Sequence, residues 1–231
     1  LSTRGVSSPI EPRWFRLLCL SLVVMRCQPL RRALNDYGNF EFMDEGKLFF
    51  LRFNLSNITK FHNHIFDFFK EKLNTLKVDE QVNPGYANWL KDEYEVHLPN
   101  QLRKSTFLMI FGHLEESLYL LWAENGKPEC LEHKAFGLKK YKKFLSCYVH
   151  MDLSCNDDYQ FVLNCQLIRN AIIHIAGRVS LSKDSEKLKM VIEQHKDCFQ
   201  INNDRVNITS IGLSKFQQSV DSLIKQAATV I

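Results

Sequence analysis

The run Asn156-Asp157-Asp158-Tyr159-Gln160-Phe161-Val162-Leu163-Asn164-Cys165-Gln166-Leu167-Ile168-Arg169-Asn170-Ala171-Ile172-Ile173-His174-Ile175-Ala176-Gly177 carries its own start and stop signals. Asn156, Asp157 and Asp158 are the residue types that accept hydrogen bonds from the free N–H groups of a first helical turn. Gly177 is the residue type that ends a helix in a left-handed conformation. The stretch therefore predicts a helix from about 158 to 176. At about 100° per residue, Phe161, Cys165, Ile172 and Ile175 fall within about 60° of Ile168 and form one apolar stripe, which faces the core. The opposite arc holds Gln166, Arg169, Asn170 and His174, with Val162, Leu163 and Ile173 interleaved. A helix apolar on nearly all sides requires cover on both, and a second copy of the chain is the simplest cover.

Working outward, residues 137 to 149 read as a shorter amphipathic helix carrying Lys139-Lys140-Tyr141-Lys142-Lys143. Before it, Pro99 suits the first turn of a helix running to about Trp122, and Glu124-Asn125-Gly126-Lys127-Pro128 stops it. Val82-Asn83-Pro84-Gly85-Tyr86 reads as a loop. From Lys47 to about Lys77 the spacing of Phe50, Phe53, Ile58, Phe61, Ile65, Phe68, Phe69 and Leu73 predicts a first long helix, with its phenylalanines and Trp122 in the core. On the other side, Ser185 opens a short helix to about His195. Cys198-Phe199-Gln200-Ile201 and Arg205-Val206-Asn207-Ile208 flank Asn202-Asn203-Asp204 as a small hairpin. A last amphipathic helix covers about Leu213 to Ala228. The expected fold is all-α, a helical bundle with a small β-hairpin before the last helix.

Length and composition agree with this. The 231 residues are 45% hydrophobic and 24% charged, enough for a sizeable core in one domain. Residues 1–42 differ in kind: they hold six Arg and no Lys and carry +3 of the formal +4, leaving +1 for residues 43–231. Any nucleic-acid contact in the body must come from a local patch, because the overall field is weak. Leu17 to Met25 form an apolar run too short to span a bilayer, and Arg26, Arg31 and Arg32 stand where a cleavage site would need small residues. We expect residues 1–42 to be a disordered or over-extended N-terminal segment, residues 43–231 to form the domain, and the membrane to play no part. The seven cysteines are odd in number and lack CxxC pairs, which fits a reducing, cytoplasmic setting.

The chemistry concentrates on the quoted helix. A guanidinium holds phosphate oxygens bidentately and stays charged as negative charge builds, and an imidazole transfers protons near neutrality. Arg169 and His174 thus suit phosphodiester cleavage, with Asn170 one turn before His174 to orient its ring or to contact phosphate. In RNA the 2′-hydroxyl can attack the adjacent phosphate without a metal or cofactor, and DNA lacks that nucleophile. Dipole-favoured cations near a helix C-terminus are the plainer reading of the same pair. Glu115 lies on the edge of the apolar arc shared by Leu108, Phe111, Leu118 and Trp122. It is either a helper that orients Arg169 or His174, or a boundary residue reaching water. Lys139, Lys140, Lys142 and Lys143 either hold RNA backbone, with Tyr141 stacking a base, or form a solvated face. Cys147, His150 and Cys155 lack a fourth zinc ligand at standard spacing, so no metal site is expected. No phosphate-cradling Gly-rich loop, nucleophile elbow or HExxH stands in the sequence.

Arg169-Asn170-x-x-x-His174, late in an all-helical chain, resembles the R-x4-6-H motif of the HEPN superfamily, and Leu167 to Gly177 looks like the form it takes in bacterial members. The resemblance extends more loosely from about Lys47 to Gln226, including Leu98-Pro99-Asn100-Gln101-Leu102-Arg103-Lys104-Ser105. It implies a HEPN-like bundle and a metal-independent RNA endonuclease of toxin or defence type. It also implies a site shared across a homodimer and a possible antitoxin or other regulatory partner. The alternative it leaves open is a non-catalytic helical module that binds RNA or a protein.

Overall fold

The computed structural model describes residues 43–79, 84–125 and 128–228. The chain divides into two units, Leu1–Met43 and Asp44–Ile231, and the expectation for residues 1–42 lies outside the described residues. The rest is mostly helical with one antiparallel hairpin before the last helix. The helices are α1 (Met43–Asp79), α2 (Pro84–Asp92), α3 (Leu98–Asn125), α4 (Asp157–Ile175), α5 (Ser185–Gln194) and α6 (Ser210–Ala228); the strands are β1 (Phe199–Asn202) and β2 (Arg205–Ile208). No described helix is long and apolar enough to cross a membrane.

The core forms where α3, α4, α6 and β1 meet. Phe107 and Phe111 of α3 pack on Phe216 of α6 with ring centroids 4.4 and 5.8 Å apart, and Phe199 of β1 lies 6.3 Å from Phe107 and 6.2 Å from Phe161 of α4. All are buried, and each contributes about 1.5–3 kcal/mol through the apolar surface removed from water. Amphipathic α6 supplies Leu213, Phe216, Val220, Leu223 and Ile224 along one face. Its first turn is capped by Thr209, whose hydroxyl accepts from Gly212 N–H at 3.0 Å.

Local chemistry explains the elements that were legible. Asn156 caps α4 by accepting from Tyr159 N–H at 2.8 Å. At the other end Ala176 (φ 50°) and Gly177 (φ 75°) turn left-handed, and Gly177 N–H reaches Ala171 O at 2.8 Å. Alanine is strained at that φ, so Ala176→Gly is expected to raise unfolding stability by about 1 kcal/mol, read as a shifted urea midpoint at unchanged slope. Asn203 (φ 50°) and Asp204 (φ 63°) make the two-residue turn that pairs Asn202 with Arg205 and Phe199 with Ile208.

Three expectations are corrected. Pro84, Gly85 and Tyr86 do not form a loop but open α2, since a proline in the first turn loses no intrahelical hydrogen bond. α2 runs on through a π-helical turn, Glu93–His97, in which Leu98 N–H reaches back to Glu93 O. That widening falls just before Pro99, whose ring would otherwise press on the carbonyl of residue 95. Residues 137 to 149 are not a regular amphipathic helix: Gly137–Tyr141 is a 3-10 turn and Phe144–Tyr148 a π turn. Finally, of the α1 phenylalanines only Phe69 is buried among the described residues. Phe49, Phe50, Phe53, Phe61 and Phe68 are exposed, and the buried arc is Leu51, Leu55 and Phe69. The helix has two apolar arcs; α3 engages the one that carries Leu51 and Leu55, and Phe69 packs on Tyr94 with ring centroids 6.0 Å apart. His113 of α3 donates from Nε2 to Leu51 O at 2.9 Å, and His62 of α1 meets Thr106 Oγ1 at 3.0 Å. Burial holds both imidazoles below the ordinary histidine range.

Candidate functional site

Arg169 sits in the last two turns of α4, where the helix crosses the middle of α3. Its Nη2 lies 3.9 Å from Glu115 Oε2, its guanidinium carbon is 5.7 Å from the centre of the Phe111 ring, and its Nη1 donates to Asn170 Oδ1 at 3.1 Å. Both Arg169 and Glu115 side chains keep 30% of their surface open. Glu115 and Phe111 are one turn apart on α3, so one helix face presents a carboxylate and an aromatic ring to the same cation. The polar arc of α4 is thus covered in part by α3 of the same chain. Ile173 and His174 remain exposed at its end.

α3 and α4 run antiparallel. The middle of α3 meets Arg169, and the start of α3 and the end of α4 both abut β2: Arg103 Nε donates to Ile208 O at 2.7 Å, and Arg205 Nη1 to Ala176 O at 3.1 Å. Within one chain Arg169 and His174 are five residues apart, or about 140° around the helix, so they point to different sides of it. The His174 side chain makes no hydrogen bond among the described residues.

Next to Arg169 opens a cleft of about 310 Å³, lined by Glu115, His133, Ala135, Phe136, Gly137, Lys140 and Tyr141. Gly137 (φ 60°) brings the backbone against Gln166 of α4: a Cβ there would stand 2.5 Å from Gln166 Nε2. Phe136 is 85% exposed at the rim. Burial raises the Glu115 carboxyl above its usual range, and the charges of Arg169 and Lys140 pull it partly back. Burial, then the Glu115 charge and Tyr119, push the Tyr141 phenol up to about 12.

No protein family, curated protein or solved structure matches the chain. The geometry therefore stands by itself.

It brings together Arg169, Asn170, Glu115 and Lys140, and leaves the other anticipated residues apart. Lys139, Lys142 and Lys143 are exposed, whereas Lys140 alone enters the cleft. Tyr141 is buried and its ring offers no face to a base, which corrects the stacking expectation. Among the described residues no group of three or more metal-ligating side chains converges, and Cys147 and Cys155 are free thiols. Sequence reasoning missed His133 and Phe136, which lie on an irregular connection and carry no periodic signal.

Glu115→Gln has an expected sign. A carboxyl whose folded-state pKa is raised contributes stability that is present below its unfolded value and is lost as pH rises through the folded one. The variant is therefore expected to match wild type in acid and to exceed it slightly in thermal midpoint above the carboxylate range. A variant less stable than wild type at neutral pH would show instead that the ion pair with Arg169 outweighs the burial cost.

Proposed function

We propose that the chain is a HEPN-like, metal-independent RNA endonuclease whose cleft is assembled from two copies. One observation carries the reading. A half-buried arginine is held by a carboxylate and an aromatic ring beside an open cleft, with an exposed, uncommitted histidine one and a half turns further along the same helix. Arg169 is the fixed positive charge for a phosphate, with Asn170 and Glu115 positioning it. His174 of the second copy takes the proton from the 2′-hydroxyl as that oxygen attacks phosphorus; the 5′-oxygen departs and is protonated, which leaves a 2′,3′-cyclic phosphate. The pair diverges on a single helix, which favours a shared cleft over a site within one chain. Lys140 and the exposed Lys139, Lys142 and Lys143 provide a basic margin for the strand. A reducing, cytoplasmic setting suits the five free cysteines among the described residues. An antitoxin-like regulatory partner belongs to the same proposal.

The test is incubation of purified protein with single-stranded and folded RNA in EDTA. Wild type is expected to release fragments ending in cyclic phosphate. Strict dependence on added metal, or equal cleavage by His174→Ala, would overturn the nuclease reading and leave a helical RNA- or protein-binding module.

A further inference from the structure

Beyond Arg169, the same face carries a second group of cations drawn from three distant segments. Lys104 lies 11 residues before Glu115 on α3, which places the two within about 20° of each other around that helix. β2 joins this level of α3 to the end of α4. Arg103 bonds Ile208 O, Val206 N–H bonds Gly177 O at 2.9 Å, Arg205 bonds Ala176 O, and Arg178 pairs with Arg205 as an isolated bridge. Ala176 is seven residues beyond Arg169, about 10 Å along α4. The side of the molecule where α3 and α4 meet thus presents Lys140 and Arg169 at one level and Lys104 and Arg205 at the next, with the exposed Ile173 one turn beyond Arg169.

This second group is under-neutralised. Lys104 is half-buried and has no carboxylate partner among the described residues; burial and the nearby Arg205 charge hold its ammonium below the ordinary lysine range. Arg103 is half-buried too, and its guanidinium is spent on Asn100 Oδ1 and a backbone carbonyl, neither of which cancels charge. Asp204, next to Arg205 in the chain, is exposed; it accepts from Ser180 N–H at 2.9 Å and from its hydroxyl, and the Arg178 and Arg205 charges also lower its carboxyl, so it offsets part of the Arg205 charge but forms no ion pair with Lys104. Lys104 and Arg103 are thus half-buried like charges without an ion-pair partner, beside the exposed Arg205; that arrangement costs folding energy, which a bound anion would offset.

We propose that Lys104 and Arg205 form a second phosphate-binding position for an RNA strand, one or two nucleotides along the α3–α4 groove from the phosphate held at Arg169. The proposal rests on the reading of that groove as an RNA site, but not on cleavage. The side chains hold backbone and read no base, so they set where the strand lies and how tightly, and leave sequence choice to other contacts.

The experiment measures binding by fluorescence anisotropy of a labelled single-stranded RNA on His174→Ala protein, which keeps the groove and removes the proposed proton acceptor. Lys104→Ala/Arg205→Ala in that background is expected to weaken binding roughly 10-fold at low salt and to flatten the slope of log affinity against log salt by about 1.4, two single-strand contacts. Single-stranded DNA of the same sequence should weaken by the same factor. The exposed control Lys187→Ala/Lys196→Ala should leave both quantities unchanged. Lys104→Met adds a readout that a merely structural lysine would not give: a higher thermal midpoint together with weaker RNA binding. Unchanged affinity and slope in the double variant, or a loss confined to RNA, overturns the second position even if wild type cleaves RNA. Loss of binding in a protein that never cleaves supports the position while the nuclease reading falls. No binding by the His174→Ala parent overturns it outright.

Discussion

His174→Ala protein, folded and assembled as wild type, is expected to cleave RNA about 10²- to 10⁴-fold more slowly, the range that a positioned proton-transfer group supplies. Arg169→Ala is expected to lose at least as much, because in the proposed cleft its charge would face the phosphate throughout bond exchange and no other described cation replaces it between Glu115 and Phe111. The two inactive proteins mixed after dissociation give the sharper result. A cleft that takes its arginine from one copy and its histidine from the other regains activity in mixed dimers, since each supplies what its partner lacks. The measurement is the initial rate of cyclic-phosphate formation against mixing ratio, with a maximum at equal amounts. A flat response, with both parents inactive and exchange verified by mass, would place Arg169 and His174 in separate roles and end the shared-cleft proposal. Recovery by Arg169→Lys should be poor, because an ammonium lacks the planar fork that meets Asn170 and phosphate together.

The largest stability effect is expected at Gly212. It is buried in the first turn of α6, where an added Cβ would stand 2.2 Å from Cys198 O and 2.8 Å from Cys198 Cα. The obstacle is backbone, so no rotamer change relieves it. Thr209 fixes the approach from the other side: its hydroxyl donates to Asp197 O at 2.6 Å, its N–H reaches Cys198 O at 3.0 Å, and its oxygen accepts from Gly212 N–H. Moving α6 outward would loosen Leu213 and Phe216 together. Gly212→Ala is therefore expected to cost about 3 kcal/mol, at the upper end of overpacking effects, seen as a lower urea midpoint. A loss below about 1 kcal/mol would mean that the α6–β1 contact yields more readily than its hydrogen bonds suggest.

What the sequence disclosed was local. Asn156 and Gly177 bracket α4 within a residue because capping depends on neighbours in the chain, and the hairpin is set by Asn203 and Asp204 in the same way. The Glu115–Arg169 approach was also accessible, since helical arcs place each residue on its own helix and a carboxylate at an apolar edge requires a partner. What stayed hidden depends on partners far apart in the chain. Nothing in the spacing of α1 tells which of its two apolar arcs α3 engages. Pro84-Gly85 carries the same letters in a loop as at a helix start. Lys104 and Arg205 stand 101 residues apart, and only the docking of β2 between α3 and α4 makes them neighbours.

The π turn at Glu93–His97 also separates two angular frames. It holds one residue more than an α-helical path of the same rise would need, so the side chains of α2 are rotated relative to those of α3, and the stacked, exposed Tyr86 and Trp89 take their bearing from that offset. A one-residue deletion among residues 93–97 would swing the indole through about 100° around the axis while α3 kept its place. The turn thus acts as a dial, decoupling where the outer aromatic pair looks from how the interior is seated.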